Sequence, residues 1–226
     1  MKRAFKGLRL KSGPEDRYDA IIIGAGVGGL VCGNLLAKSG LKVLLVEQHY
    51  MVGGYCSTFK RKGYTFDASS HFYPLLGNET SITGKLLKDL EVPTEWIKMD
   101  PVDLFHFPDG SRFSVPSDFD TYLHQVKSEF PEEVDAIDAF FAEVREAYMY
   151  GLLHYFRKRR VDRIKAYKDL TVTQVLDKHF KDQKLKLLLT ADSPHWGLPP
   201  ERTSFVFDSM LRLSYFLGNY YPVGGS

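Results

Sequence analysis

Only two cysteines, Cys32 and Cys56, occur in the 226 residues, so neither a disulfide framework nor a cysteine-based zinc cluster is available. A reducing setting is the default expectation. No apolar run approaches the roughly eighteen residues that a membrane-crossing helix needs, and the basic start is not followed by the apolar core of a secretory signal. The chain is therefore expected to be cytoplasmic or held peripherally at a membrane surface, plastid-like or bacterial ones included, and not secreted. Charge of one sign is missing too. The 30 Lys+Arg against 28 Asp+Glu leave no strongly basic footprint of the kind nucleic acid selects, which argues against DNA and RNA as partners. Internal repeats and low-complexity stretches are absent as well.

The basic residues that do crowd together open the chain: Lys2, Arg3, Lys6, Arg9, Lys11 and Arg17. A solvated tail is the ordinary reading, and contact with anionic headgroups is the alternative. Beyond this lead, Ala20-Ile21-Ile22-Ile23 reads as a strand apolar on both faces. A glycine-rich turn follows, then Leu30, Val31, Leu35 and Leu36 at helical spacing up to Ser39-Gly40, then a second strand over Lys42 to Glu47.

Further on, Asp103 to Phe107 and Arg112 to Val115 alternate in polarity around Pro108-Asp109-Gly110-Ser111, a hairpin signal. Helices are expected over about 118–130, 131–156 and 171–179, the second opening on Pro131, Glu132 and Glu133. Ser204 to Tyr221 is rich in Phe, Tyr and Leu.

The chemistry sits in Gly24-Ala25-Gly26-Val27-Gly28-Gly29, a GxGxxG pattern between a strand and a helix. Gly24 permits the tight turn, Gly26 lets backbone approach a pyrophosphate, and Gly29 lets the helix pack closely on the strand. Helix amides and the helix dipole then favour a phosphate. Glu47 ends the second strand about twenty residues on, where a carboxylate accepts from an adenosine ribose. A dinucleotide is expected. Turn and carboxylate alone serve FAD and NAD equally. The next glycine pair, Gly53-Gly54, favours FAD, because backbone without side chains there can run beside an extended flavin dinucleotide.

Taken together, GAGVGGL, Glu47, Gly53-Gly54-Tyr55-Cys56-Ser57-Thr58-Phe59 and Phe66-Asp67-Ala68-Ser69-Ser70-His71 resemble the phytoene desaturase, carotenoid isomerase and retinol saturase group of flavoproteins. The resemblance runs from about Tyr18 to the end and is most specific over 21–72. It implies an α/β fold with a Rossmann-like FAD-binding βαβ unit, an inserted α+β substrate domain and a polyene substrate. It places Gly24, Ala25, Gly26, Gly28, Gly29, Glu47, Gly53, Gly54, Tyr55 and Ser57 on the cofactor. The implied division is 1–17 as a basic lead, 18–75 as the first half of the FAD domain, 76–221 as the substrate domain and 222–226 as the start of a return. In relatives a later segment follows such a return, so a fragment, inactive by itself, is expected.

One departure matters: Tyr55 stands where amine-oxidase-like relatives carry an arginine, and tyrosine cannot neutralise phosphate charge. Desaturation, saturation and cis-trans isomerisation remain open, as do an NAD-linked or amine-oxidising enzyme and a non-catalytic product. His71 is a candidate for donating a proton or orienting a ring, against the commoner fate of hydrogen bonding in a loop. Cys56 is read as a packing residue and Cys32 as a small buried one. Phe205, Phe207, Tyr215, Phe216, Tyr220 and Tyr221 either line an apolar tunnel or, the favoured reading, fill a core. Arg157-Lys158-Arg159-Arg160 is a solvated helix end or a headgroup contact.

Overall fold

The structure, a computed structural model, describes residues 17–159 and 162–225. The basic lead apart from Arg17, and Arg160 of the later basic cluster, lie outside the described residues. These residues form two compact units, one running up to Ile97 and resuming at Tyr220, the other Lys98–Asn219. The sequence-based divisions lay at 75/76 and 221/222.

In the first unit, β1 (Ala20–Ile23), α1 (Val27–Lys38) and β2 (Val43–Val46) form the expected βαβ unit, with β1 parallel to β2 and Ile22 opposite Leu45. Glycine brings the helix onto the strands. A Cβ on Gly29 would lie 2.0 Å from the Gly24 carbonyl oxygen, and one on Gly33 would lie 3.4 Å from Ile22 Cδ1. The chain is thus α/β with a Rossmann-like start.

Burial on both faces of these strands does not occur. Ile21 is 63% and Ile23 88% exposed, because β1 and β2 are the whole of their sheet and α1 covers one side of it. Cys32 is likewise exposed, since α1 has no buried residue.

The unit continues with β3 (Thr58–Arg61) and β4 (Tyr64–Asp67), an antiparallel hairpin. Its two-residue turn, Lys62 and Gly63, has positive φ at both positions (50° and 85°), which matches the twist of the paired strands. Then come β5 (Tyr73–Pro74), α2 (Ile82–Asp89) and β6 (Trp96–Lys98). Ser81 caps α2 by accepting from the Gly84 amide at 2.9 Å.

The second unit holds the core. The expected hairpin is present as β7 (Asp103–His106) and β8 (Arg112–Val115), with Asp109 Oδ1 accepting from the Ser111 amide at 2.8 Å and Gly110 at φ 84°. α3 (Phe119–Glu129), a short turn over Pro131–Glu133 and α4 (Val134–Gly151) follow, and α4 runs directly into a π-helical turn, Leu152–Phe156. α5 (Val172–His179) starts with a reciprocal Thr171 and Gln174 capping box, and α6 (Gln183–Thr190) is capped by Asp182. α7 (Phe205–Ser214) comes next.

Ile137, Phe140 and Phe141 of α4, Val175 of α5, Leu185 of α6 and Phe205 of α7 are at most 1% exposed. Each such side chain contributes roughly 1.5–3 kcal/mol on burial. Gly151 lets α4 and α7 approach, since a Cβ there would lie 2.6 Å from Met210 Sδ.

The chain then returns to the first unit as β9 (Asn219–Pro222), the middle strand of the sheet β5-β9-β6. Tyr220 packs where a Gly77 Cβ would stand, and the Tyr221 hydroxyl donates to Asp67.

Candidate functional site

The glycine turn is fixed by main chain and by one carboxylate. Gly24 adopts φ 101° and donates to the Val46 carbonyl at 2.7 Å, which ties the turn to the end of β2. Glu47, next in sequence, accepts from the Ala25 amide at 2.6 Å through Oε2 and from the His49 amide at 2.8 Å through Oε1. These two bonds, His49 first and then Ala25, hold its carboxyl below the usual carboxylate range. Each carboxylate oxygen accepts more than one hydrogen bond, so Glu47 keeps capacity for a ribose hydroxyl while it shapes the turn. That structural duty of Glu47 is invisible in the motif.

The second glycine bend comes to the first. The Gly53 amide donates to the Ala25 carbonyl at 2.7 Å, and a Cβ on Gly54 would come within 3.2 Å of Gly26 Cα. Gly53 and Gly54 have φ of 113° and 62°, in the left-handed region that glycine occupies without strain. Gly24, Ala25, Gly26, Glu47, Gly53 and Gly54 therefore form one patch. Gly28 opens α1 beside it, and Gly29 packs the helix against the turn.

The patch also fits a dinucleotide by what it leaves open. A Cβ placed on Gly26 or on Gly28 would meet nothing within 4 Å. Gly26 caps α1 without any side-chain hydrogen bond, and the first amides of a helix have no partner within it. Open space over uncapped amides suits a pyrophosphate.

Tyr55, 85% exposed, lies in the single turn Gly54–Cys56 that ends at Ser57. The Ser57 carbonyl accepts from the Ala68 amide at 2.9 Å. His71 is exposed on the connection from β4 to β5. Its neighbour Ser70 lies 3.6 Å from Cys56 Sγ, oxygen to sulfur, which ties that connection to the second bend. Among the described residues no group of three or more His, Cys, Asp or Glu is placed to hold a metal, and no helix is long and apolar enough to cross a membrane.

The second unit contains a cavity of about 810 Å³ between the π-helical turn and α7. Leu152, Tyr155, Phe156, Phe207, Met210 and Leu211 supply most of its apolar wall, and Arg202 stands on its lining. π-Helical turns widen a helix locally and recur at functional sites, and the volume falls in the range of ordinary ligand pockets. Of the aromatic residues at the end of the chain, Phe207 lines this cavity and is 55% exposed, whereas Phe205 and Tyr215 are buried and Phe216 packs on the core. Core packing is thus the fate of three of the six, while Tyr220 and Tyr221 lie in β9.

Beside this core lies a charged group that the sequence reading missed. Arg212 donates through Nε to Asp208 Oδ2 at 3.0 Å and through Nη2 to the Leu189 carbonyl at 2.6 Å. Asp192 Oδ1 stands 4.0 Å from the same guanidinium. Burial pushes the Asp192 carboxyl up to about 6, opposed by Arg212 and reinforced by Asp208. The i, i+4 spacing of Asp208 and Arg212 was the available signal, but such pairs usually lie on solvated faces.

Comparison with known proteins now bears on the patch. Residues 22–90 match the model of an NAD(P)-binding Rossmann-like domain. Along its whole length the chain is 29% identical to an all-trans-retinol 13,14-reductase of Danio rerio, covering 40% of that protein. The chain is a homologue of the retinol reductases and prolycopene isomerases. A chloroplastic prolycopene isomerase of Arabidopsis thaliana is 34% identical over 137 residues, which are 59% of this chain and 23% of that one. Among solved structures, putrescine oxidase bound to putrescine superimposes with a TM-score of 0.63 at 15% identity, covering 92% of this chain and 46% of the oxidase, a likeness of fold. The chain thus spans about 40% of the length of the retinol reductases it matches.

Proposed function

We propose that the protein is an FAD-dependent oxidoreductase or isomerase acting on a carotenoid-like or retinoid-like polyene. One observation carries the reading: two glycine bends lie against each other, with the Glu47 carboxylate bonded into the first. The reductase and isomerase named among the relatives support the polyene class, and the apolar cavity of the second unit offers such a chain a place.

In this reading Gly24 and Ala25, whose amides are held by the Val46 carbonyl and Glu47, shape the turn under the pyrophosphate, the amides of Gly26, Gly28 and Gly29 at the start of α1 face it, and Glu47 accepts from the ribose. Gly53, Gly54, Tyr55 and Ser57 extend the strip along the dinucleotide. That extension favours FAD over NAD. Bound FAD supplies hydride chemistry at carbon, so no side-chain nucleophile is needed. The residues of this chain position the cofactor and shape its electrostatics. His71 is the candidate proton donor on the connection tied to the second bend.

The test is to equilibrate the chain with excess FAD and with excess NAD in parallel, remove unbound nucleotide and identify what heat releases by mass. FAD in the released fraction is expected. NAD alone would overturn the flavin reading, and the absence of both would overturn the dinucleotide site itself.

A further inference from the structure

The cavity beside the π-helical turn has one feature that a pure hydrocarbon would not use. Its wall is built from Leu152, Tyr155, Phe156, Phe207, Met210 and Leu211, and Arg202 is the charged residue on it. Arg202 is exposed, and among the described residues no ion pair neutralises it, whereas Lys178, Lys184, Lys186, Arg163 and Arg212 all face carboxylates.

Two hydroxyls on the same wall are committed elsewhere. The Thr203 hydroxyl donates to the carbonyls of Leu198 and Pro199, at 3.2 and 3.0 Å, and the Ser214 hydroxyl to that of Leu211 at 2.6 Å. The main chain of Arg202 is anchored by its amide, which donates to the Pro199 carbonyl at 2.9 Å. An unpaired guanidinium on a mostly apolar wall is matched by one kind of ligand, a long apolar body carrying an anion.

We propose that this cavity binds an apolar chain terminated by a carboxylate, with Arg202 as the partner of the acid. Guanidinium suits this role because its planar donors match the two carboxylate oxygens. The apolar wall supplies most of the affinity and Arg202 selects the head. The inference rests on the reading of this cavity as a place for an apolar chain and is independent of the flavin.

The experiment compares head groups on a constant chain. Binding of myristate, myristyl alcohol and myristylamine to the chain is measured by calorimetry below their micelle thresholds, with retinoate and retinol as a second pair. Each acid is expected to bind about fivefold more tightly than its alcohol, in line with a partly exposed ion pair against a low-dielectric wall. The advantage should shrink as salt is raised. The amine is expected to bind more weakly than the alcohol.

In Arg202→Gln the acid loses that advantage while the alcohol is unchanged, and Arg202→Lys restores part of it. Equal affinity of acid and alcohol, or tighter binding of the amine, overturns the proposal and leaves the apolar cavity standing. Binding of none of the five overturns both. The head-group comparison on the unsubstituted chain decides the matter even if a variant were to misfold.

Discussion

Gly54 sits so close to Gly26 that a Cβ added to it would come within 3.2 Å of the Gly26 Cα. Two bends almost thirty residues apart in sequence thus present one continuous strip of backbone. Alanine at each glycine should separate fold from ligand. Gly26→Ala meets open space at φ −72°, so its stability should change by less than about 0.5 kcal/mol, while affinity for FAD drops about tenfold because the methyl stands where the phosphates approach. Gly29→Ala drives a Cβ to 2.0 Å from the Gly24 carbonyl oxygen and should cost about 1–3 kcal/mol or more in stability. Parallel denaturant and FAD titrations check both, and equal effects of the two variants would contradict the assignment.

Glu47 should show its double duty in pH. Its amide bonds to His49 and Ala25 lower its folded value, so its contribution is present above the unfolded value near 4.3 and lost as pH falls through the lower folded one. Glu47→Gln keeps the size, removes the charge and leaves one of the two amides facing an NH2 group that cannot accept its bond. The variant should lose FAD affinity at neutral pH and flatten the acid limb of the stability curve, which thermal melts between pH 3 and 7 would reveal.

The buried cluster has the opposite sign. Asp192 faces Arg212 and Asp208 of α7 and Asp103 of β7, and its folded value near 6 lies above the unfolded one. Its contribution is therefore complete below about pH 4 and lost as pH rises through 6. Asp192→Asn should remove that fall and be more stable at pH 7 than the unsubstituted chain. Melting at pH 4 and pH 7 tests it, and a variant that melts lower at pH 7 would contradict it.

The two units should differ in their local stability. Ile137, Phe140 and Leu185 are fully buried, whereas β1 leaves Ile21 and Ile23 largely exposed. Amide hydrogen exchange is expected to be slow in α4 and α6 and at least tenfold faster in β1 and β2. Uniform protection across both units would show that the open face of β1 and β2 carries no energetic cost.

Local signals account for most of what was legible beforehand. Ala20 to Glu47 announced β1, α1 and β2 through an apolar run, a glycine turn and helical spacing, and Asp109-Gly110 announced the β7–β8 hairpin. α2 and α6 were missed, although Ser81 and Asp182 cap them, because eight-residue helices leave too few turns for a periodic signal. The sheet β5-β9-β6 was illegible for another reason: its middle strand comes from the far end of the chain. Within the site, the glycines and Glu47 were readable as a motif. The approach of Gly54 to Gly26, the hold of Glu47 on Ala25, and the cavity bearing Arg202 are three-dimensional facts that spacing does not encode.

The return of Tyr220–Pro222 between β5 and β6 has a consequence for how the molecule is made. A ribosome releases the residues up to Ile97 long before it supplies the strand that completes their sheet, and the whole of Lys98–Asn219 must be synthesised in between. The first unit therefore waits, half assembled, for a late arrival. Such long-range closure slows folding, and during that interval the aromatic residues of the waiting strands, Tyr73 of β5 and Trp96 of β6, are open to chaperones or to other nascent chains.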